Sequence, residues 1–304
     1  MCGRRNFHLE SLVQIRLALF SPFGLNSKVC LVTGASSGIG KATVAGLAKE
    51  DLDVVMLSRD KSRGVSARNE IVSRTGNQSV DMMVGDLSSM ESTRKVGAEF
   101  DSRYSRLDVL VNDAAVYSNT RVVTPEGFEL MFATNYLGPF LLTRLLIPRL
   151  EASKPSRVIN VTAPSTTKPE LDDLQGERKF GALGAFGASK AADLLFTYSL
   201  ARRLEGRGVT VYAYHPGIVR TNLMRKSPAP IRAITAVMNL FVGHTPEKAS
   251  EGVIELATMD ELKFPSGQPI HEGKAISAPL VDDKDLQDRL WKASCGLVGL
   301  SEEV

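Results

Sequence analysis

The sequence predicts an α/β fold with a doubly wound parallel sheet and helices on both faces. Short apolar segments rich in Val, Ile and Leu alternate with longer helical segments along most of the chain. A glycine-rich segment follows the first of the short segments. Strand–helix alternation of this kind implies right-handed crossovers between parallel strands, which place helices on both faces of one sheet.

Six short segments have the composition of buried strands. They are Val29–Thr33, Val54–Ser58, Val80–Val84, Val109–Asn112, Arg157–Val161 and Thr210–Tyr214. The clearest helices are predicted from Thr124 to about Leu150 and from Leu183 to about Gly206. Pro164–Gly184 and Pro216–His244 are irregular and follow strand ends, where open α/β sheets bind ligands. We expect the second of these segments to form a mobile lid over a substrate.

The composition is typical of a soluble globular protein, with 43% hydrophobic and 23% charged residues. A net charge of +3 over the whole chain gives no support for nucleic-acid binding. Cys2, Cys30 and Cys295 do not have the spacing of metal ligands, and no metal site is predicted. Sparse, unpaired cysteines are usual in a reducing compartment, so we expect a cytoplasmic protein.

The first strand is followed by a glycine loop, Thr33-Gly-Ala-Ser-Ser-Gly-Ile-Gly40, which opens a helix over Lys41–Lys49. This is the Rossmann-type arrangement, in which glycines allow a tight turn and let the backbone approach a pyrophosphate at a helix N-terminus. A strand before the loop and a helix after it are the context that the motif requires. The candidate cofactor-binding residues of the loop are Gly34, Ser36, Ser37, Gly38, Ile39 and Gly40.

The end of the second strand indicates which dinucleotide is bound. An acidic residue at this position takes the ribose 2′-hydroxyl of NAD, whereas an Arg accommodates the 2′-phosphate of NADP. Ser58-Arg59 therefore favours NADP(H) over NAD(H), although Arg59 as a solvated surface charge is the alternative. Asp60 lies one position later, where it could instead cap the next helix.

Residues 28–304 are predicted to form a single dinucleotide-binding domain, because no repeat or linker divides them. Residues 1–27 precede it as an amphipathic extension whose apolar stretch is shorter than the ~20 residues needed to span a bilayer. We interpret the extension as packing on the domain, with peripheral membrane contact as the alternative. A signal peptide has little support, because no good small-residue cleavage site follows. No transmembrane segment is predicted.

Together these segments resemble the short-chain dehydrogenase/reductase family from Lys28 to about Leu300. Asp173–Glu177 and Arg289–Cys295 are similar to its retinol dehydrogenase branch. The resemblance implies a nicotinamide-dependent oxidoreductase with an apolar small-molecule substrate, and a homo-oligomer is suggested in the same way. It also implies further cofactor contacts, which fall on Asp86, Leu87, Asn112, Ala114, Lys190, Pro216, Gly217, Val219 and Thr221. Asn112–Ala115 differs from the family's Asn-Asn-Ala-Gly at its second and fourth positions.

The catalytic Asn and Lys implied by the resemblance are Asn135 and Lys190. Lys190 would bind the nicotinamide ribose, with a plain surface charge as the alternative. Pro139 has no N–H, so the carbonyl of Asn135 loses its helical partner and could hold an ordered water. A simple proline kink is the alternative for this position.

The family's catalytic Ser and Tyr are replaced in this chain. The Tyr-x-x-x-Lys motif begins with Phe186, and a phenyl ring cannot donate a proton. Ala163 aligns with the Ser, so a substitute hydroxyl would have to come from Thr162 beside it, or from Ser165 or Thr166 after a shift in position.

Two functions are compatible with these replacements. The first is an NADP(H)-dependent oxidoreductase that acts on a carbonyl, an alcohol or a conjugated substrate without the tyrosine donor, and this is the interpretation we favour. The second is an NADP(H)-binding pseudoenzyme that acts as a sensor or an assembly partner. Losing general acid catalysis costs about 10²–10⁴-fold in rate, which a substrate protonated from elsewhere would tolerate best.

Overall fold

The computed structural model describes residues 23, 27–163, 165–220, 223, 243–261, 263–277 and 280–304. Within these ranges an eight-stranded sheet is flanked by helices. The strands are β1 (Val29–Thr33), β2 (Asp53–Ser58), β3 (Val80–Val84), β4 (Val109–Asn112), β5 (Ser156–Val161), β6 (Val209–His215), β7 (Pro269–His271) and β8 (Lys274–Ala275).

Seven helices of three turns or more surround the sheet in the described ranges. They are α1 (Gly38–Lys49), α2 (Lys61–Thr75), α3 (Met90–Arg103), α4 (Leu130–Ala152), α5 (Ala182–Arg203), α6 (Pro246–Thr258) and α7 (Lys284–Val298). Within α4, residues Ala133–Leu137 form a π-helical turn between two α-helical parts. A short 3₁₀ turn, Leu171–Asp173, lies between β5 and α5.

The strand order is β3-β2-β1-β4-β5-β6-β7-β8, and the strands from β3 to β7 pair in parallel. The predicted doubly wound sheet is therefore confirmed. Chain order reverses between β1 and β4, which makes this point the switch point where such sheets bind ligands. The sequence did not predict β7 or β8, and β8 departs from the parallel pattern by pairing antiparallel to β7.

The core lies on both faces of the sheet because neighbouring strand residues point to opposite sides. Leu31 packs into one apolar cluster with residues of α3, α4, α5 and α7. Cys30 and Val32 pack into a second cluster with residues of α1, α2 and α6. Since every residue of β1 and β2 is buried, their near-continuous apolar sequence is explained by burial from both sides.

The helix predicted from Thr124 begins at Leu130 instead, so the predicted start is wrong. Gly127 has φ +87°, and the Thr124 amide donates to the Phe128 carbonyl, which closes a turn before the helix. The Glu129 carboxylate then accepts from the Phe132 amide at 2.7 Å and caps the helix. The end of α5 at Arg203, rather than about Gly206, is a smaller difference.

The N-terminal extension and the predicted lid lie almost entirely outside the described residues. Of the extension, Phe23 is buried in the larger apolar cluster, where its ring stacks on Tyr104 with centroids 5.4 Å apart. Of the described helices, α4 is long and apolar enough to span a membrane by length and composition, but 83% of its most apolar window is buried within the domain. It is a core helix of this fold.

Candidate active site

The glycine loop after β1 is packed too tightly for side chains at two of its glycines. Gly34 has φ +67°, and a Cβ there would lie 2.9 Å from the Cα of Ala114. A Cβ on Gly40 would lie 2.8 Å from the Gly34 carbonyl oxygen. The Thr33 hydroxyl accepts from the amides of Asp113 and Ala114, which fixes the end of β4 against the loop. These contacts explain the glycines as the requirements of a close backbone turn.

The N-terminus of α1 faces this loop with its first amides. Ser37 is the N-cap residue, and its side chain makes no capping hydrogen bond. In contrast, α2, α3 and α6 are capped by the side chains of Asp60, Ser89 and Thr245. Beside the glycine turn, the amides of the first turn of α1 other than that of Gly40 offer N–H donors and a positive dipole end to an anion. Ser36 and Ile39 lie in the same turn, and Ile39 is buried.

The two charged residues that follow β2, Arg59 and Asp60, differ in their contacts. The Asp60 carboxylate accepts from the Arg63 amide at 2.9 Å and caps α2, one of the two roles that the sequence allowed. Arg59 is exposed at the strand end. Ser58 is buried, and its hydroxyl donates to the Asp60 carbonyl at 3.0 Å. This position therefore presents an exposed guanidinium beside a carboxylate that caps the next helix.

The two residues after β3 shape the same edge of the sheet. Asp86 is half-buried, and its carboxylate accepts from the amide and the hydroxyl of Ser88. Leu87 is buried against Gly138, where an added Cβ would lie 2.2 Å from the Leu87 carbonyl oxygen. Leu87 thus packs α4 onto the sheet edge beside Asp86.

Asn112 lies inside the domain rather than at its surface. Its side-chain nitrogen donates to the Thr143 hydroxyl at 3.0 Å and to Asn160 Oδ1 at 2.8 Å. The Asn160 side chain in turn donates to the Thr197 hydroxyl at 2.9 Å. The side chain of Asn112 therefore links β4 to β5 and α4, and through Asn160 to α5. This is a structural role, whereas the sequence predicted a cofactor contact.

Asp113, which the sequence analysis did not assign to the site, points into the glycine loop. A Cβ on Gly40 would lie 2.7 Å from its Oδ2, and the Gly40 amide donates to the carboxylate. Burial raises the pKa of Asp113 to about 7, while the positive charge of Lys190 and the Gly40 amide oppose that rise. The signal in the sequence was an acid where the family motif has Asn.

Lys190 is buried on α5 and is held by two partners. Its Nζ donates to the Val161 carbonyl and to Asp193 Oδ2, each at 3.1 Å. Burial raises the pKa of Asp193 to about 6, opposed by Lys190. An ammonium group has three N–H donors, so one remains for a further acceptor. The alternative of a surface charge is wrong, because the side chain is 8% exposed.

Asn135 lies in the π-helical turn of α4 and connects three segments. Its Oδ1 accepts from the Val116 amide at 2.7 Å, and its Nδ2 donates to the Val116 carbonyl at 3.1 Å. Nδ2 also donates to the Ser189 hydroxyl at 3.0 Å. Pro139 lies two residues after this π-helical turn, a feature frequent at functional sites. Whether the Asn135 carbonyl holds a water stays a prediction.

The hydroxyl of Thr162 is turned away from open space. Thr162 is buried, and its hydroxyl donates to the Lys190 carbonyl at 3.0 Å. Ala163 beside it is half-buried and has no hydroxyl. Phe186, in the first turns of α5, is half-buried, and its ring meets the ring of Tyr117 edge-on with centroids 5.7 Å apart. The catalytic role of Thr162 stays a prediction that its hydrogen bond does not favour.

The segment after β6 is described only in its first residues. Gly217 has φ +74°, and a Cβ there would lie 3.3 Å from the His244 ring. Val219 pairs with His244 in an isolated parallel bridge. Pro216 precedes this bridge and is half-buried, whereas Thr221 lies outside the described residues.

A family model described as "short chain dehydrogenase" matches residues 28–231. The chain belongs to the short-chain dehydrogenase family. It is 38% identical to retinol dehydrogenase 13 of Homo sapiens over 282 residues, covering 90% of this chain and 85% of that protein. It is 37% identical to retinol dehydrogenase 12 of Mus musculus, covering 91% of this chain and 88% of that protein. The predicted resemblance is confirmed, and the protein is an oxidoreductase by family.

Solved structures of short-chain dehydrogenases have the same fold. A Pseudomonas aeruginosa RhlG/NADP active-site complex matches with TM-score 0.65 and 26% identity, covering 83% of this chain and 96% of that one. A metagenomic short-chain oxidoreductase in complex with NADP matches with TM-score 0.61 and 26% identity, covering 80% and 96%. A nicotinamide cofactor is therefore supported for this short-chain dehydrogenase.

Most of the predicted site residues lie along one edge of the sheet, after β1, β2, β3, β4, β5 and β6 and at the N-terminal part of α5. Asn112, Asn135 and Thr162 are the exceptions among the described residues, since their side-chain polar atoms bond within the domain. No group of three or more His, Cys, Asp or Glu side chains that could hold a metal occurs in the described part of this short-chain dehydrogenase. Asp113, Asp193 and Tyr117 could not be assigned to the site from the sequence, because their roles depend on the residues they contact in the fold.

Proposed function

We propose that this protein is an NADP(H)-dependent oxidoreductase acting on a carbonyl, an alcohol or a conjugated substrate without a tyrosine at position 186. The observation that carries the proposal is the backbone turn at Gly34 and Gly40, next to a helix N-terminus whose N-cap residue, Ser37, makes no side-chain capping bond. Neither glycine has room for a Cβ, so the backbone itself forms the surface that a pyrophosphate would approach. The complete glycine loop supports dinucleotide binding even though two catalytic side chains differ.

The end of β2 supports NADP(H) over NAD(H). Asp60, which could have taken a ribose 2′-hydroxyl, already accepts from the Arg63 amide as a helix cap. Arg59 is exposed beside it and offers a planar guanidinium, which suits a phosphate. The NADP complexes among the similar solved structures agree with this preference.

The residues of this chain would bind and orient the reactants. A bound nicotinamide supplies the hydride chemistry. The remaining N–H of Lys190 would hold the nicotinamide ribose, while Val161 and Asp193 keep the ammonium in position. Asn135 holds the segment after β4 against α5 through Val116 and Ser189. Together these contacts fix the geometry that hydride transfer requires.

The substrate we propose is an apolar small molecule, such as a retinoid-like alcohol or aldehyde. Half of the large hydrophobic side chains that are exposed in the described residues lie on segments that follow β4, β5 and β6. These side chains are Val122, Val123, Leu183 and Ile218. Apolar groups around a ligand site favour an apolar ligand. The names of the curated relatives, which are retinol dehydrogenases, point to the same class.

The cofactor preference can be tested by the Arg59→Ala variant. We expect its affinity for NADPH to fall about 10- to 100-fold, because a hydrogen bond to a charged group contributes ~1.5–3 kcal/mol. The affinity for NADH should stay unchanged, since NADH has no 2′-phosphate. Titration calorimetry with each nucleotide gives both values.

The matched control is Arg74→Ala. It removes an exposed Arg from the last turn of α2, the helix that begins just after Arg59. It should leave both affinities as in the parent protein. Equal losses for NADPH and NADH in Arg59→Ala would contradict the 2′-phosphate contact. A parent protein that binds neither nucleotide would contradict the proposed function as a whole.

The second candidate is an NADP(H)-binding protein with little turnover. The specific observation in its favour is that the Thr162 hydroxyl already donates to the Lys190 carbonyl, next to residues that carry no hydroxyl. NADPH binding without oxidation of NADPH across a panel of carbonyls and enones would favour this function.

A further inference from the structure

We propose that Tyr117 supplies the hydroxyl that Phe186 lacks and donates the proton when a carbonyl substrate is reduced. This inference rests on the proposed function, because it requires bound NADPH and a carbonyl substrate. Tyr117 follows β4 in the segment that begins with Asn112–Ala115, far from Phe186 in sequence. The fold brings a phenol beside the phenyl ring that stands at the family's tyrosine position.

The two rings are in direct contact. Their centroids are 5.7 Å apart with planes at 68°, so the edge of one ring meets the face of the other. This contact brings a phenol ring against the residue that stands at the motif's tyrosine position. Both residues are half-buried, so the pair lies between the domain interior and its surface.

The hydroxyl of Tyr117 is covered by protein atoms and has no hydrogen-bond partner in the part of the chain that the structure describes. A buried polar group without a partner is costly, which makes such a group a candidate for function. Two hydroxyls on the neighbouring segments already donate their protons within the domain. Thr162 donates to the Lys190 carbonyl, and Ser189 donates to the Phe186 carbonyl.

A chain of hydrogen bonds holds Tyr117 against α5. Asn135 bonds both the N–H and the C=O of Val116, which is the residue before Tyr117. Asn135 also donates to Ser189, and Ser189 donates to the Phe186 carbonyl at 2.7 Å. The backbone next to Tyr117 is therefore tied to the backbone of Phe186 through two side chains. Such support preorganises a catalytic group.

The protonation state of Tyr117 suits a donor. Burial raises the pKa of its phenol above the ordinary value, so the group keeps its proton at neutral pH. In the reduction, the carbonyl carbon gains a hydride from NADPH while the carbonyl oxygen takes the proton of the Tyr117 hydroxyl. The products are an alcohol and NADP⁺, and water returns a proton to the phenolate. Because an alkoxide is far more basic than a phenolate, this transfer is downhill despite the raised pKa.

The test compares the parent protein with Tyr117→Phe, using NADPH and retinaldehyde, octanal or cyclohexenone as carbonyl probes. We expect kcat/KM to fall at least about 100-fold, the lower range for loss of a general acid. NADPH affinity by calorimetry should stay within threefold of the parent, or roughly 0.7 kcal/mol. The thermal midpoint should be unchanged or higher, since the lost hydroxyl has no described partner.

Two further variants make the result specific. Tyr198→Phe is the matched control, because its hydroxyl is also covered and without a partner among the described residues, while its ring packs on Leu194 and Ala213. It should retain parental turnover. The double variant Tyr117→Phe, Phe186→Tyr moves the phenol to the family's position, and we expect it to regain at least tenfold of the lost kcat/KM.

The outcomes separate this inference from the proposed function. Turnover of Tyr117→Phe within threefold of the parent would overturn the role of Tyr117 and leave NADP(H) binding intact. A parent protein that binds NADPH without reducing any probe, while Phe186→Tyr alone reduces one, would also overturn it. A parent protein that binds no nicotinamide nucleotide would overturn both.

Discussion

The glycine loop and the N-terminal part of α5 are the two halves of the candidate site, and they differ in what fixes them. The loop is fixed by backbone geometry, because Gly34 and Gly40 have no room for a Cβ. The α5 half is fixed by side chains from separate segments, with Phe186 against Tyr117 and Lys190 against Asp193. Because a backbone turn requires glycine at fixed positions, it can be recognised in the sequence. A side chain with a given chemical role can instead come from another segment, and its usual position in the motif then carries a different residue.

Each half of the candidate site contains one carboxyl group. The loop half contains Asp113, whose carboxylate accepts from the Gly40 amide. The α5 half contains Asp193, which pairs with Lys190 at 3.1 Å. Lys190 acts on both carboxyl groups and lowers both pKa values against the effect of burial. The two halves are therefore coupled through one ammonium group.

The largest effect on stability and on NADPH affinity should come from adding a side chain in the glycine loop. Gly40→Ala would place a Cβ 2.7 Å from Asp113 Oδ2 and 2.8 Å from the Gly34 carbonyl. We expect a loss of unfolding free energy of ~1–3 kcal/mol from overpacking. We also expect NADPH affinity to fall at least about 100-fold, since this turn is the proposed pyrophosphate site. Chemical denaturation and calorimetry measure the two quantities.

Gly296→Ala is the matched control for that variant. Gly296 also lies in a helix, but a Cβ there has nothing within 4 Å. It should gain up to ~1 kcal/mol of helix propensity and retain parental NADPH affinity. If Gly40→Ala binds NADPH as tightly as the parent protein, the glycine loop is not fixed by its backbone geometry in the way proposed. The distinction from the α5 half, which is fixed by side chains, would then fail.

An intermediate effect is expected from Asp113→Asn. In the folded protein the pKa of Asp113 is raised from 3.8 to about 7, so the folded state holds its proton more tightly than the unfolded state. The stability that this proton provides is present below pH ~4 and is lost as the pH rises through about 7. Asp113→Asn cannot lose that proton. Its unfolding free energy should therefore increase relative to the parent from pH 4 to pH 7 and level off above.

The affinity for NADPH should also depend on the ionisation of Asp113. A deprotonated Asp113 beside the glycine loop repels a pyrophosphate, so parental NADPH affinity should weaken above pH 7, on the order of tenfold relative to Asp113→Asn. Denaturation and calorimetry at pH 5 and pH 8 test both expectations. A difference in unfolding free energy that does not change with pH would show that Asp113 is not perturbed in the folded state.

The smallest effect is expected from restoring the family's hydroxyl with Ala163→Ser. One added neutral hydrogen bond contributes ~0.5–1.5 kcal/mol, so kcat/KM for a carbonyl probe should rise about two- to tenfold. Stability should stay within ~0.5 kcal/mol of the parent, because Ala163 is only half-buried. Ala163→Val, which adds bulk without a hydroxyl, should give no gain in kcat/KM. An equal gain in both variants would attribute the effect to packing.

The sequence was sufficient for much of the fold because its strands are buried on both faces. Runs such as those of β1 and β2 stay apolar throughout, and the glycine loop lies between a strand and a helix. It was not sufficient for β7, which is three residues long, or for the start of α4 at Leu130. Short strands and helix starts depend on local turns, here on Gly127 at φ +87° and the Glu129 cap.

By itself the sequence determined the doubly wound sheet, the dinucleotide loop and the family, since each follows from local pattern and backbone restriction. Only the tertiary structure decided what the polar atoms face. It turned the Thr162 hydroxyl to the Lys190 carbonyl, placed the Asp113 carboxylate against the Gly40 amide and brought Tyr117 to Phe186. The physical reason is that hydrogen bonds and pKa values depend on neighbours supplied by distant segments, whose positions a linear pattern does not contain.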